Sequence, residues 1–275
     1  MNPKIDLHIH STFSDGYFSP RDVVLLARER SVEIISLTDH DSTDGLAAAR
    51  VEAENAGICF VDGVEINTVL DREEVHILGY GILPQDQELQ RTLRQLREGR
   101  EKRMDKILAK LSALDIVITR QDVLAQTRGQ ASIGRPHIAR AMATAGYAVD
   151  ERDAFSRYLN PGCPAFVPRY KINPQQAIAT VRAAGGLAFL AHPGLLLQDE
   201  KTIKQLDLDG LEVYHTDHTV AQTKKYLDYA NSRGLLISGG SDCHGQPDNV
   251  LLGTVEICYK HLQPWLKDYW TKPIS

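Results

Sequence analysis

Ile5-Asp6-Leu7-His8-Ile9-His10 alternates apolar and polar side chains near the N-terminus. A period of two predicts a half-buried strand, and on a strand residues i and i+2 leave the backbone on one face. His8 and His10 are therefore expected side by side, with Asp15 five residues further on. Neighbouring neutral imidazoles and a carboxylate suit a divalent transition metal. For the pair alone, two solvated surface histidines are an equally good account.

Working outward, strands and helices alternate. Ser19-Pro20 is an N-cap with proline at the first helical position, opening a helix over 21–30. A short apolar strand at 34–37 ends in Thr38-Asp39-His40-Asp41. A helix over 43–56 stops at Gly57, a third strand at 58–61 leads to Gly63-Val64-Glu65, and a fourth at 75–78 carries His76. From 84 to 164 the pattern is helical, with no convincing strand. Leu89, Leu93, Leu96, Met104, Ile107 and Leu111 fall near one stripe, interrupted by Arg100. Eight basic residues lie between Arg91 and Lys110 against three acidic ones. Such a run is ordinarily a solvated face, the alternative being a positive wall beside an anionic substrate.

Alternation resumes near Phe166. Asn173-Pro174 caps a helix ended by Gly185-Gly186, and a strand at 187–191 delivers His192-Pro193-Gly194. A strand at 210–214 precedes His215-Thr216-Asp217-His218, and a helix over 220–233 stops at Gly234. A strand at 235–238 delivers Gly240-Ser241-Asp242-Cys243-His244, and 255–257 reads as a last strand. Repeated strand–helix units imply a parallel sheet with helices outside. Polar residues following at least six strands favour a closed α/β barrel over an open doubly wound sheet. The expected division is a barrel from 1–83 and 165–275, with a helical insertion over 84–164.

Composition narrows the function. The 275 residues are 43% hydrophobic and 24% charged, ordinary for a soluble enzyme. A net charge of −5 argues against general attachment to nucleic acid or anionic membrane. No apolar run reaches the roughly 18 residues of a membrane span. Strand one starts too early to leave room for a presequence. Cys59, Cys163, Cys243 and Cys258 form no C-x-x-C pair and read as reduced thiols of a cytoplasmic protein. Cys243, between Asp242 and His244, reads as a packing residue before a thiolate ligand. No Walker-type or G-x-G-x-x-G loop points to a bound nucleotide cofactor.

His8, His10, Asp15, His40, Glu65, His76, His192, Asp242 and His244 all lie in or just beyond strands. Nine such residues converging by chance is improbable. Mixed nitrogen and oxygen donors without sulfur suit Mn²⁺, Fe²⁺ or Zn²⁺. Nine exceed the three or four that one catalytic ion uses, so two or three ions are expected.

The segments Asp6–Ser11 with Ser14-Asp15-Gly16, Leu37–Asp41, Gly63-Val64-Glu65, Ala191–Gly194 and Gly240–His244 resemble the PHP family of polymerase and histidinol phosphatase-type metallophosphoesterases. The likeness runs over roughly residues 4 to 257. Gly134-Arg135-Pro136-His137-Ile138-Ala139-Arg140 and Phe166-Val167-Pro168-Arg169-Tyr170-Lys171 are most similar to its stand-alone subgroup. That subgroup acts on nucleoside 3′,5′-bisphosphates and, in the ribonuclease AM type, on short RNA from the 5′ end. The resemblance implies a distorted (β/α)₇ TIM-like barrel with an inserted helical subdomain. It implies one ion at His8, His10, Glu65 and Asp242, a second bridged by Glu65 and completed by His76 and His192, and a third at Asp15, His40 and His244. Manganese is the ion it suggests.

The chemistry that follows is in-line attack on phosphorus by a metal-bridging hydroxide, with no side-chain nucleophile. Ser11 and Ser241 are then loop residues, and Asp39 and Asp41 orient their neighbours. A bisphosphate needs a second anion pocket. Arg135 suits it, with His137, Arg169, Lys171 and His218 as further candidates and Asp217 an adverse charge. Two alternatives stand: a phosphatase for another small phosphomonoester such as histidinol phosphate, and a metal-holding regulatory module without turnover. Expected partners are a small nucleotide or short single-stranded RNA, with neither membrane nor obligate protein partner.

Overall fold

Seven strands among the described residues form one sheet in chain order: β1 (Ile5–Ile9), β2 (Ile34–Leu37), β3 (Cys59–Leu70), β4 (Glu73–Tyr80), β5 (Leu187–Leu190), β6 (Gly210–His215) and β7 (Leu236–Gly240). The structure is a computed structural model, and it describes residues 2–71, 73–127, 132–168, 172–246 and 249–269. The sheet curls into a nearly closed barrel. Just past β1 and β7, Ile9 bridges Cys243 in parallel, and the His10 N–H donates to the Cys243 carbonyl at 3.0 Å. Gly240 makes the seam close: a Cβ there would lie 2.3 Å from the His8 nitrogen.

Outside the barrel lie α1 (Pro20–Glu29), α2 (Leu46–Ala56), the long α3 (Gln87–Ser112) and the short α4 (Arg120–Ala125), α5 (Arg135–Thr144) and α6 (Glu151–Ala154). They are followed by α7 (Pro174–Ala183), α8 (Asp199–Gln205), α9 (Val220–Arg233) and α10 (Tyr259–Leu266). The caps read from sequence form: Ser19 accepts from the Asp22 N–H, and Asn173 and Gln176 cap each other reciprocally. No described helix is long and apolar enough to cross a membrane.

Two expectations change. The sheet is not all parallel, because β4 runs antiparallel to β3 and to β5, with Asn67 opposite His76 and Ile77 opposite Leu190. The connection after Leu70 is too short for a crossover, so the chain returns as a hairpin. The segment 255–257 is not a strand. Side chains take up the backbone around it: Asp6 accepts the Gly253 N–H at 2.7 Å, and Asn2 donates to the Ile257 carbonyl at 3.1 Å.

Two apolar cores share α3. Leu89, Leu93 and Leu96 join the barrel core with Ile5, Leu7, Val64 and Ile77. Met104, Ile107 and Leu111 join a second core with Ile138, Met142, Leu159 and Val167. The interruption at Arg100 lies between them. Arg97, Arg100 and Arg103 recur every three residues and turn inward, Arg100 and Arg103 being buried, while Arg91, Arg94, Lys102, Lys106 and Lys110 are exposed.

Candidate metal centre

β1 delivers His8 and His10 inward, both fully buried, with ring centroids 5.2 Å apart. Opposite them, Glu65 on β3 is the hub. Its Oε2 lies 3.4 Å from His8 Nε2, 3.2 Å from His10 Nε2 and 2.8 Å from His40 Nδ1. Its Oε1 lies 2.8 Å from His76 Nδ1 and 3.2 Å from His192 Nε2. Asp242 Oδ1 meets His8 and His10 Nε2 at 3.3 and 3.0 Å. Asp15 meets His244 Nε2 at 3.2 Å and His40 Nε2 at 3.9 Å. All nine residues singled out in the sequence thus come together in one cluster, which the antiparallel β4 enters through His76 at its middle.

Donor atoms within 4.8 Å of one another define overlapping groups: His8, His10, Glu65 and Asp242; His10, Asp15, His40 and His244; and His40, Glu65 and His76. His192 joins the last through Glu65. The chain holds these donors under strain. His192, Asp242 and Asp41 have φ of 27°, 53° and 53°, a region unfavourable for non-glycine residues and concentrated at functional sites. Two buried carboxylates fix the loops between. Asp6 accepts from the Ser241 N–H and hydroxyl at 2.9 and 2.6 Å. Asp39 accepts from the Ser11 N–H and hydroxyl, both at 2.7 Å, and from the Ser14 hydroxyl at 2.6 Å. Ser11 and Ser241 are therefore hydrogen-bonded to carboxylates and hold loops.

Electrostatics separate the donors. Burial opposes ionisation of Glu65, yet His40, His76 and His8 outweigh it and hold its carboxyl well below the usual range. Burial is likewise outweighed at Asp242 by His8 and His244, and at Asp15 by His244 and His40. Burial pushes His40 down to about 4. At His244 it is overcome by Asp15 and Asp242, which lift the imidazole to about 10.

The residues fit a set of cations. Among the described residues, buried atoms with no hydrogen-bond partner include Nε2 of His8, His10, His76 and His215, Nδ1 of His192, and one oxygen each of Asp15, Glu65 and Asp242. Buried nitrogen and oxygen atoms left unsatisfied within one cluster of donors are what ions would satisfy.

The PHP domain family matches residues 6–149. A 3′,5′-nucleoside bisphosphate phosphatase of Chromobacterium violaceum is 36% identical over 247 residues, 87% of this chain and 87% of that one. A 5′-3′ exoribonuclease of Haemophilus influenzae is 33% identical over 251 residues, 89% of this chain and 91% of its own length. A solved structure from Bifidobacterium adolescentis, described as a metal-dependent phosphoesterase, superposes with a TM-score of 0.87 at 31% identity over 97% of each chain. The chain belongs to the PHP domain family.

Two residues of this PHP centre, Glu212 and His215, are not among the nine read from the sequence, and with His8 they form a further group of donors. Glu212 on β6 is wholly buried; its Oε1 accepts from His8 Nδ1 at 2.9 Å and its Oε2 from the His192 N–H at 2.7 Å. A lone carboxylate inside the apolar strand Leu211-Glu212-Val213 was the only signal. His215 also turns inward, its Nε2 3.8 Å from Asp242 Oδ2. Cys243 is buried and burial raises its thiol, as packing requires.

The substrate candidates divide. Arg135 lies beside a cavity, its guanidinium 3.4 Å from Glu74 and 3.2 Å from the Leu159 carbonyl. His137 is buried and its Nδ1 accepts the Gly134 N–H at 3.0 Å, so it caps α5 instead of facing a ligand. His218 Nε2 accepts the Gly194 N–H at 3.1 Å, and its Nδ1 lies 3.0 Å from the Val213 carbonyl. With both nitrogens engaged, His218 holds the loop after His192. Arg169 and Lys171 lie outside the described residues.

Proposed function

We propose that this PHP protein is a phosphoesterase that removes the 3′-phosphate of nucleoside 3′,5′-bisphosphates. The observation that carries the reading is Glu65, one buried carboxylate within 3.4 Å of five imidazole nitrogens from four segments. One group of donors is His8, His10, Glu65 and Asp242, a second Glu65, His76 and His192, and a third Asp15, His40 and His244. Two or three divalent ions, Mn²⁺ first and Fe²⁺ or Zn²⁺ in its place, would supply Lewis acidity toward phosphate oxygens and an activated water.

The chain's own residues do the rest. Glu65, Asp242 and Asp15 stay ionised, and His40 stays neutral, the forms in which each donates a lone pair. Glu212 and Asp6 fix the orientation of His8 and of the Asp242 loop. Ser11 and Ser241 donate to Asp39 and Asp6, carboxylates that hold the loops, and neither is needed as a nucleophile. Arg135, on the cavity edge, suits the second phosphate, with Arg169 and Lys171 as further cations. The similarity to the Chromobacterium phosphatase supports this substrate, and that to the Haemophilus exoribonuclease supports short RNA degraded from its 5′ end as a second one.

Release of inorganic phosphate from adenosine 3′,5′-bisphosphate with added Mn²⁺ tests the proposal. Expected is turnover that chelator abolishes and that His192→Ala lowers at least about a hundredfold. Unchanged bisphosphate, with histidinol phosphate cleaved in its place, would move the assignment to another phosphomonoester. No turnover of either would favour a metal-holding module.

A further inference from the structure

A cavity of about 810 Å³ has none of the nine donors in its lining. Two ligand-bearing segments run into its walls. On β4, Glu74 precedes His76 by two residues, on the same face and about 7 Å along the strand. Glu74 meets Arg135 at 3.4 Å. After β5, the chain leaves His192 through a 3₁₀ turn (Pro193–Leu195) and reaches Leu197 and Gln198, which line the cavity. The His218 ring pins that turn through the Gly194 N–H.

The lining is chiefly apolar, with Val69, Phe166, Pro168 and Leu197 prominent. Leu195 is 52% exposed and Leu197 91% exposed, an apolar pair standing beside the centre with no packing role. Lys201 is paired with Asp71 at 3.2 Å, Arg135 stands 3.4 Å from Glu74 at the cavity edge, and the Glu73 carboxylate accepts the Leu197 N–H. Beyond Arg135, the cavity therefore offers little to an anion and much to a flat neutral ring. Side-chain amides of Asn160 and Gln198 border it and can both donate and accept at a base edge. The volume falls within the range of small-ligand sites.

We propose that this cavity takes the nucleobase of the substrate, against Phe166 and Leu197, while the phosphoester lies at the His76 and His192 side of the centre. The inference rests on the reading of that centre as a nucleotide phosphoesterase. Base stacking on an aromatic ring tolerates every base, so the cavity selects nucleotides over small sugar phosphates before it selects among bases.

The test is calorimetric titration of the Mn²⁺-loaded protein with adenosine 5′-monophosphate and with ribose 5-phosphate, which lacks the base. The native protein should bind the nucleotide at least about tenfold tighter, and Leu197→Asp and Phe166→Ala should each remove most of that difference. Equal binding of the two ligands, binding of neither, or a preference that survives both substitutions overturns the proposal. Nucleotide preference in a protein that releases no phosphate from adenosine 3′,5′-bisphosphate would support the base site while removing the bisphosphate reading. Release of phosphate without nucleotide preference would do the reverse.

Discussion

An imidazole that ligates through Nε2 needs its Nδ1 held, and Glu212 does this for His8 at 2.9 Å while its second oxygen fixes the His192 backbone at 2.7 Å. Burial opposes the Glu212 charge, but His8 outweighs it and keeps the carboxyl below its ordinary range. Carboxylate partners of ligating histidines set tautomer and orientation and raise basicity. Glu212→Gln keeps the shape and loses the charge. Its expected effect is a metal affinity about 10- to 100-fold weaker, with an unaltered circular dichroism spectrum. Competition with a chelating dye measures it, and an unchanged dissociation constant would reduce Glu212 to a packing residue. Residue-scale chemistry was legible where a local rule exposed it: His8 and His10 share a strand face because they are two apart. Glu212 obeys no such rule, since its meaning depends on a histidine 204 positions away.

At the scale of elements, α3 ties the helical region to the centre. Arg100 Nε donates to Asp41 Oδ2 at 2.7 Å with Nη2 in ion-pair contact at 2.6 Å, Arg97 Nη1 donates to the Asp41 carbonyl at 3.0 Å, and Asp41 Oδ1 accepts the Asn67 N–H at 2.9 Å. Asp41 follows His40, so a helix outside the barrel braces a donor inside it. Arg100→Met removes a buried counter-charge and should destabilise the protein by about 3 kcal/mol, read as a lower urea midpoint. Adding Asp41→Asn should recover much of that loss, and an unchanged midpoint for the single variant would show that the pair contributes nothing. The sequence marked Arg100 only as a flaw in an apolar stripe, because its reason lies on another element. The strands of the barrel were legible from alternation and from the polar residues that end them. The direction of β4 was not, since a strand's own residues do not encode its polarity; the short return after Leu70 does. The segment 255–257 has the residues of a strand, but Asn2 takes up the Ile257 carbonyl and the Tyr259 N–H where a neighbouring strand would have paired.

For the whole molecule, the centre is a burial problem that cations solve. Asp15, Glu65 and Glu212 are buried, and Asp242 is partly buried, among histidines from β1, β4 and the loops after β2, β5 and β7, and without ions the imidazole protons supply counter-charge. Divalent ions replace those protons, so binding releases protons and strengthens as pH rises. Ions that bind only the folded chain stabilise it by mass action, about 2.7 kcal/mol at a hundred times the dissociation constant. For a chain of 275 residues that is a rise in Tm of roughly 5 °C. His137, whose Nδ1 caps α5, adds a further acid limit. Burial depresses it to about 4, whereas unfolded it titrates near 6.5. Between these values the unfolded state binds the proton, so the stability contributed by neutral His137 is full above pH 6.5 and lost as pH falls toward 4. Melting curves with Mn²⁺ and with chelator, from pH 5 to 8, should therefore show a metal increment that widens with pH, over a baseline that declines toward acid. In His137→Gln the acid decline should flatten while the metal increment persists. A Tm indifferent to Mn²⁺, Fe²⁺, Zn²⁺ and chelator at every pH would mean that the converging donors hold no ion at all.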